Sequence, residues 1–128
     1  METIVTNGIK VCVETTYHEQ YSRPIENKFV FAYRITIENV SEYSVQLMSR
    51  HWYIFDSDGS KKEVEGEGVI GLQPLLAPGE RHQYVSWSHL FTQFGKMHGY
   101  YLFNRQSDGY QFKATIPEFY LMTPCKMN

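Results

Sequence analysis

The sequence predicts an all-β fold, an antiparallel sandwich of about seven or eight short strands. Three observations predict it. Aromatic residues make up 16% of the 128 residues, with ten Tyr and eight Phe, and flat rings pack well on a pleated surface. Several segments alternate apolar and polar residues with a period of two, the mark of a strand with one buried side. Asp-Gly turns separate some of these segments, and no long stretch keeps a helical period.

The elements follow in order. Ile9, Val11 and Val13 alternate with Lys10, Cys12 and Glu14. Over residues 29–39, Phe29, Phe31, Tyr33, Ile35 and Ile37 fall on one face and Arg34, Thr36 and Glu38 on the other. The run over 45–55 has a broken pattern, because Val45 and Leu47 face one way while Trp52 and Ile54 face the other. A β-bulge near Ser49-Arg50 reconciles them by adding one unpaired residue. Asp56-Ser57-Asp58-Gly59 closes that strand in a turn. Runs over 63–70 and 81–88 come next. The best helical candidate, 89–94, stops at Gly95 and is too short to be more than a turn. Strands over 98–105 and 110–117 form a hairpin across Gln106-Ser107-Asp108-Gly109, where Gly tolerates positive φ. Trp52 stands on the third strand, where immunoglobulin-like sandwiches bury a Trp. The expected core is Val11, Val13, Phe31, Tyr33, Ile35, Ile37, Trp52, Ile54, Tyr84, Tyr100, Phe112 and Ile116.

Composition bounds the function. Hydrophobic residues at 42% and charged residues at 20% describe an ordinary soluble chain, one domain over 1–128. The net charge of −2 supplies no field to gather phosphate backbones, so no nucleic-acid partner is expected. No apolar run approaches the roughly 20 residues of a membrane-spanning helix, so no membrane insertion is expected. The start, Met1-Glu2-Thr3-Ile4-Val5, lacks the layout of a signal peptide, and a cytoplasmic location is expected. Cys12 and Cys125 have no CxxC partner and read as two free thiols.

Three groups of residues invite a chemical reading. Gly66-Glu67-Gly68-Val69-Ile70-Gly71 has the form G-x-G-x-x-G. In a dinucleotide fold it would open a helix, but Pro74 follows too soon for that. Glycines that shape strand bends account for it. A weaker version survives, in which backbone amides of Gly66, Gly68 and Gly71 cradle phosphate, pyrophosphate or a nucleotide with help from Lys61 and Lys62. In Ser49-Arg50-His51-Trp52, Arg50 can fork onto a phosphate or carboxylate and His51 can move protons. Nothing in the sequence supplies the rest of a catalytic set. His18, His51, His82, His89 and His98 lack metal-pair spacing, and Glu63, Glu65 and Glu67 read as an exposed acidic strand face. No catalytic residue, metal or cofactor is expected. Tyr100, Tyr101, Phe103, Phe91 and Phe94 give more aromatic surface than a small sandwich must bury. Any exposed part suits a protein partner or a homodimer.

Taken together, Phe31-Ala32-Tyr33-Arg34-Ile35-Thr36-Ile37-Glu38-Asn39, Val45-Gln46-Leu47-Met48-Ser49-Arg50-His51-Trp52, the glycine motif through Pro74, Pro78-Gly79-Glu80 and Ile116-Pro117-Glu118-Phe119-Tyr120-Leu121 resemble the ApaG family over essentially the whole chain. The resemblance implies a fibronectin type III-like sandwich, a cytoplasmic bacterial protein and a genetic link to cobalt and magnesium efflux. Related domains in eukaryotic F-box receptors imply a protein-binding module. The resemblance places nucleotide or pyrophosphate binding, where it occurs, on Gly66, Gly68 and Gly71. The expected function is a non-enzymatic protein-interaction module, with a nucleotide- or pyrophosphate-binding protein as the alternative.

Overall fold

Strand β3 (Phe29–Asn39) organises the molecule, because its five inward side chains from Phe29 to Ile37 are at most 6% exposed. In the computed structural model, which describes residues 1–124, eight further strands surround it. They are β1 (Glu2–Thr6), β2 (Ile9–Tyr17), β4 (Val45–Asp56), β5 (Lys61–Glu67), β6 (Leu75–Leu76), β7 (Arg81–Leu90), β8 (Phe94–Arg105) and β9 (Gln111–Met122). One sheet runs β1-β2-β3-β7 and the other β5-β4-β8-β9, with β6 paired to the start of β4. Every pairing is antiparallel. Cys125 lies outside the described residues.

The expected antiparallel sandwich is therefore present, with nine strands rather than seven or eight. The additions are β1, whose residues are mostly exposed and carry no strong alternation, and the two-residue β6. Two short 3₁₀ turns, Glu19–Tyr21 and Pro24–Glu26, cross between β2 and β3. Residues 89–94 form no helix. They end β7 and begin β8, and the Asp56 carboxylate holds the turn by accepting bonds from the Phe91 amide and the Thr92 hydroxyl. The strand expected over 63–70 instead ends at Glu67, because Gly68 takes φ +60° and leaves the sheet.

The bulge lies one residue from its expected place. Leu47 pairs with Phe103 and Ser49 with Leu102, so Met48 is the extra residue. Before it, Val45 and Leu47 are buried, and after it Trp52 and Ile54 are. A second irregularity falls in β9, where Gly99 pairs with Ile116 but Met97 with Phe119. Pro117 sits in this extra stretch, where its missing N–H costs the ladder nothing.

Two core assignments change. Tyr100 is half-buried on the outer face, and its neighbour Tyr101 is fully buried instead. Rings occupy both phases of Tyr100-Tyr101-Leu102-Phe103, so alternation alone cannot choose between them. The pairing of β8 with β4 decides, since Tyr101 lies opposite inward-facing Arg50. Phe112 packs against the core but is only partly buried. Asn39 is the one fully buried polar side chain among the described residues. Its amide donates to the Tyr43 and Leu76 carbonyls, and its oxygen accepts from Ser41 N–H and O–H. All its polar atoms are thus partnered, which keeps its burial affordable. No helix among the described residues is long and apolar enough to cross a membrane.

Candidate functional site

The glycine motif forms a tight turn at the end of β5. Val69 N–H donates to the Leu72 carbonyl at 2.8 Å, and Leu72 N–H donates back at 3.0 Å. Between them Ile70 (φ +47°) and Gly71 (φ +74°) are both left-handed, the pattern of a type I′ turn. Gly68 N–H is spent on the Met48 carbonyl. A side chain at Gly68 would put its Cβ 2.1 Å from the Leu72 carbonyl oxygen. One at Gly66 would meet the Arg50 guanidinium at 2.7 Å. The glycines thus have steric reasons to be glycine, and three of the loop's amides serve the chain itself. Ile70, Leu72 and Leu75 make its tip apolar and exposed.

Arg50 and His51, adjacent in sequence, point to opposite faces of the sheet. Arg50 faces inward, into the mouth of the sandwich between β5 and β7. Its Nη1 donates to the carbonyls of Glu67 and Gly68, both at 3.0 Å, so it braces the glycine loop. Behind it lie three phenols. Tyr84 and Tyr101 share a buried O–H···O bond of 2.5 Å. Burial pushes both phenols well above their ordinary value, while the nearby Arg50 charge pulls the other way. Burial also raises Tyr33, with Ser86 beside it opposing the shift. All three are therefore neutral hydrogen-bonding groups near pH 7. The inward positions of β7 read His82, Tyr84, Ser86 and Ser88, unusually polar for a sandwich interior. Two cavities of about 210 and 130 Å³ occupy this mouth, and Tyr33, Arg50, Trp52 and Ser86 line both.

His51 faces outward and joins a ladder of five rings across β4 and β8. Tyr100 stacks on His51 at 5.1 Å, His51 meets Tyr53 at 4.7 Å, Tyr53 stacks on His98 at 5.0 Å and His98 on Phe55 at 5.6 Å. Lys113 caps Tyr100 at one end and Lys96 caps Phe55 at the other. The ladder rings are all half-buried. From the edge strand, Glu63 approaches His51 Nε2 at 3.1 Å and Glu65 approaches Nδ1 at 2.9 Å. The three side chains bring one ligand atom each within 4.8 Å of the others, a set able to hold a cation, and His51 Nε2 has no hydrogen-bond partner.

Sequence reasoning grouped Arg50 and His51 in one cluster and left the acidic strand apart. The structure divides the first pair, brings Arg50 to Gly66 and Gly68, and brings Glu63 and Glu65 to His51. The ladder went unseen because its rings come from two strands. The usable signal was period two across a β4–β5 hairpin, which sets His51 opposite Glu65. Of the surplus aromatics, Tyr101 and Phe103 are buried, whereas Phe91 and Phe94 are exposed.

Residues 19–105 match the family model described as the ApaG domain. Protein ApaG of Pseudomonas paraeruginosa (strain DSM 24068 / PA7) is 50% identical over 116 residues, 91% of each chain. Protein ApaG of Brucella abortus (strain S19) is 48% identical over 124 residues, covering 97% of this chain and 95% of the relative. A solved structure of an ApaA protein from Bordetella pertussis has a TM-score of 0.88 at 40% identity, over 92% of this chain and 95% of that one. With a matching domain over most of its length and relatives near half identical along nearly all of it, the chain belongs to the ApaG family.

Proposed function

We propose that the chain is a non-enzymatic protein-interaction module that docks through the outer face of β4 and β8. The observation that carries this reading is the half-exposed ring ladder from Tyr100 to Phe55. Rings already ordered against one another lose little entropy on binding and offer large contact area, so such surfaces suit partner recognition. The charges at its margins, Glu63, Glu65, Lys96 and Lys113, form a polar rim. The role in cobalt and magnesium homeostasis that the family resemblance implies then runs through that partner.

The test is a capture comparison with a Tyr53→Ser, Phe55→Ser double variant. Wild type recovers a reproducible partner, and the double variant, with an unchanged circular dichroism spectrum, loses it. A partner retained by the double variant, or none recovered at all, sinks the reading. Light scattering tells a second copy of the chain from a foreign partner. The nucleotide or pyrophosphate reading draws its support from the Arg50 guanidinium lying against Gly66. Pyrophosphate that leaves the amides of residues 66–71 unmoved in an NMR titration removes it.

A further inference from the structure

We infer that the mouth of the sandwich between β5 and β7 binds a small carboxylate, with Arg50 as its counter-ion. This rests on the cleft alone and not on the ring ladder. Four observations point to it. First, the two cavities that share Tyr33, Arg50, Trp52 and Ser86 open between the strand edges. Second, neither cavity is lined by an acidic residue, although the chain as a whole is net negative, whereas Arg50 and Lys62 both line the larger one. Third, Arg50 forms no ion pair among the described residues. Nη1 bonds to two backbone carbonyls, which neutralise no charge. A partly buried cation held without a carboxylate is costly, and an incoming anion relieves that cost. Fourth, Ser88 lines the same cleft and its shielded hydroxyl has no hydrogen-bond partner.

The same walls choose among anions. Arg50 is the only half-buried cation of the lining and balances one negative charge, Lys62 being exposed at the rim, and the remaining lining includes Trp52, Ile54, Val64 and Met97. A phosphate near two negative charges would leave one of them against apolar side chains, which is strongly unfavourable. A monoanionic carboxylate on a short aliphatic stem matches both parts, its oxygens on Arg50 and its carbons against the Trp52 ring. Neighbouring His89 fits the same field, since burial, then Lys62 and Lys28, hold its imidazole below the ordinary value and so in its neutral form.

The experiment titrates sodium butyrate, acetate and inorganic phosphate in turn against ¹⁵N-labelled protein at fixed ionic strength. The signals followed are the Trp52 indole N–H and the amides of Gly68, Ser86 and Ser88. Butyrate should shift them saturably, with a dissociation constant on the order of millimolar. Acetate should bind more weakly, since it lacks the stem. Arg50→Gln should weaken butyrate at least tenfold. Because that change also loosens the loop, Lys62→Glu serves as the fold-neutral variant, and it should weaken butyrate several-fold. Shifts that never saturate, or that are the same in wild type and Lys62→Glu, overturn the inference. So does phosphate acting on these signals at lower concentration than butyrate.

Discussion

The two long margins of the sandwich are built differently. Along one, β9 packs against β1 and β2, and Val11, Val13, Ala114 and Ile116 are each at most 1% exposed. Asn7 pins this seam by donating to the Lys113 carbonyl at 2.9 Å. Along the other, β7 faces β5 across Arg50, Ser86 and Ser88, and cavities remain between them. The first margin is closed by hydrophobic contact, which is non-directional and tolerant of small shifts. The second is held by directed bonds, the phenol pair and the arginine brace, which fix positions but do not fill space. A sandwich needs only one sealed margin to hold its layers together, and the other is then free to receive something.

Three substitutions sharpen or break that contrast. The largest effect is expected at the sealed margin. Ile116→Ala empties a fully packed position and should cost about 2–5 kcal/mol, read from the urea midpoint. At the open margin, Tyr101→Phe leaves the Tyr84 hydroxyl without its partner and should cost about 1–2 kcal/mol. If it proves as damaging as Ile116→Ala, the open margin is as structural as the closed one and the contrast fails. The smallest effect has the opposite sign. Ile70 is a β-branched residue at φ +47°, a strained conformation, and it is exposed. Ile70→Asn should stabilise the protein by about 1 kcal/mol, since Asn accepts this region readily. A loss of stability there would mean that the Ile70 side chain supports the turn.

Most of the fold was legible because alternation is a local property. β2, β3 and β9 declare their buried faces within a few residues, and the break in β4 announced its own bulge. What stayed hidden depended on partners distant in sequence. Tyr100 and Tyr101 are equivalent as text, and only the register against Arg50 separates them. The 3₁₀ turns and β6 are too short to leave a periodic trace. The site shows the same limit. The sequence singles out Arg50 and the three glycines separately, the glycines chiefly as shapers of strand bends, and does not show that they meet in a brace beside a cleft. The phenols Tyr33 and Tyr84 were read as core, because a sequence does not say which buried hydroxyls gather around one cation. His51 and the two glutamates each stand out in the sequence, but not their meeting, which happens across a hairpin.

The unpaired Met48 sets the parity of everything downstream on β4. Removing that single residue would take away the bulge and leave a regular ladder, with Ser49 still opposite Leu102, Arg50 still facing inward and His51 still facing outward. Pairing Met48 into the ladder without shortening the chain would instead slip every later residue by one place, turning Arg50 to solvent and driving His51 and Tyr53 inward. That slip would swap the tenants of the cleft and the ladder at one stroke.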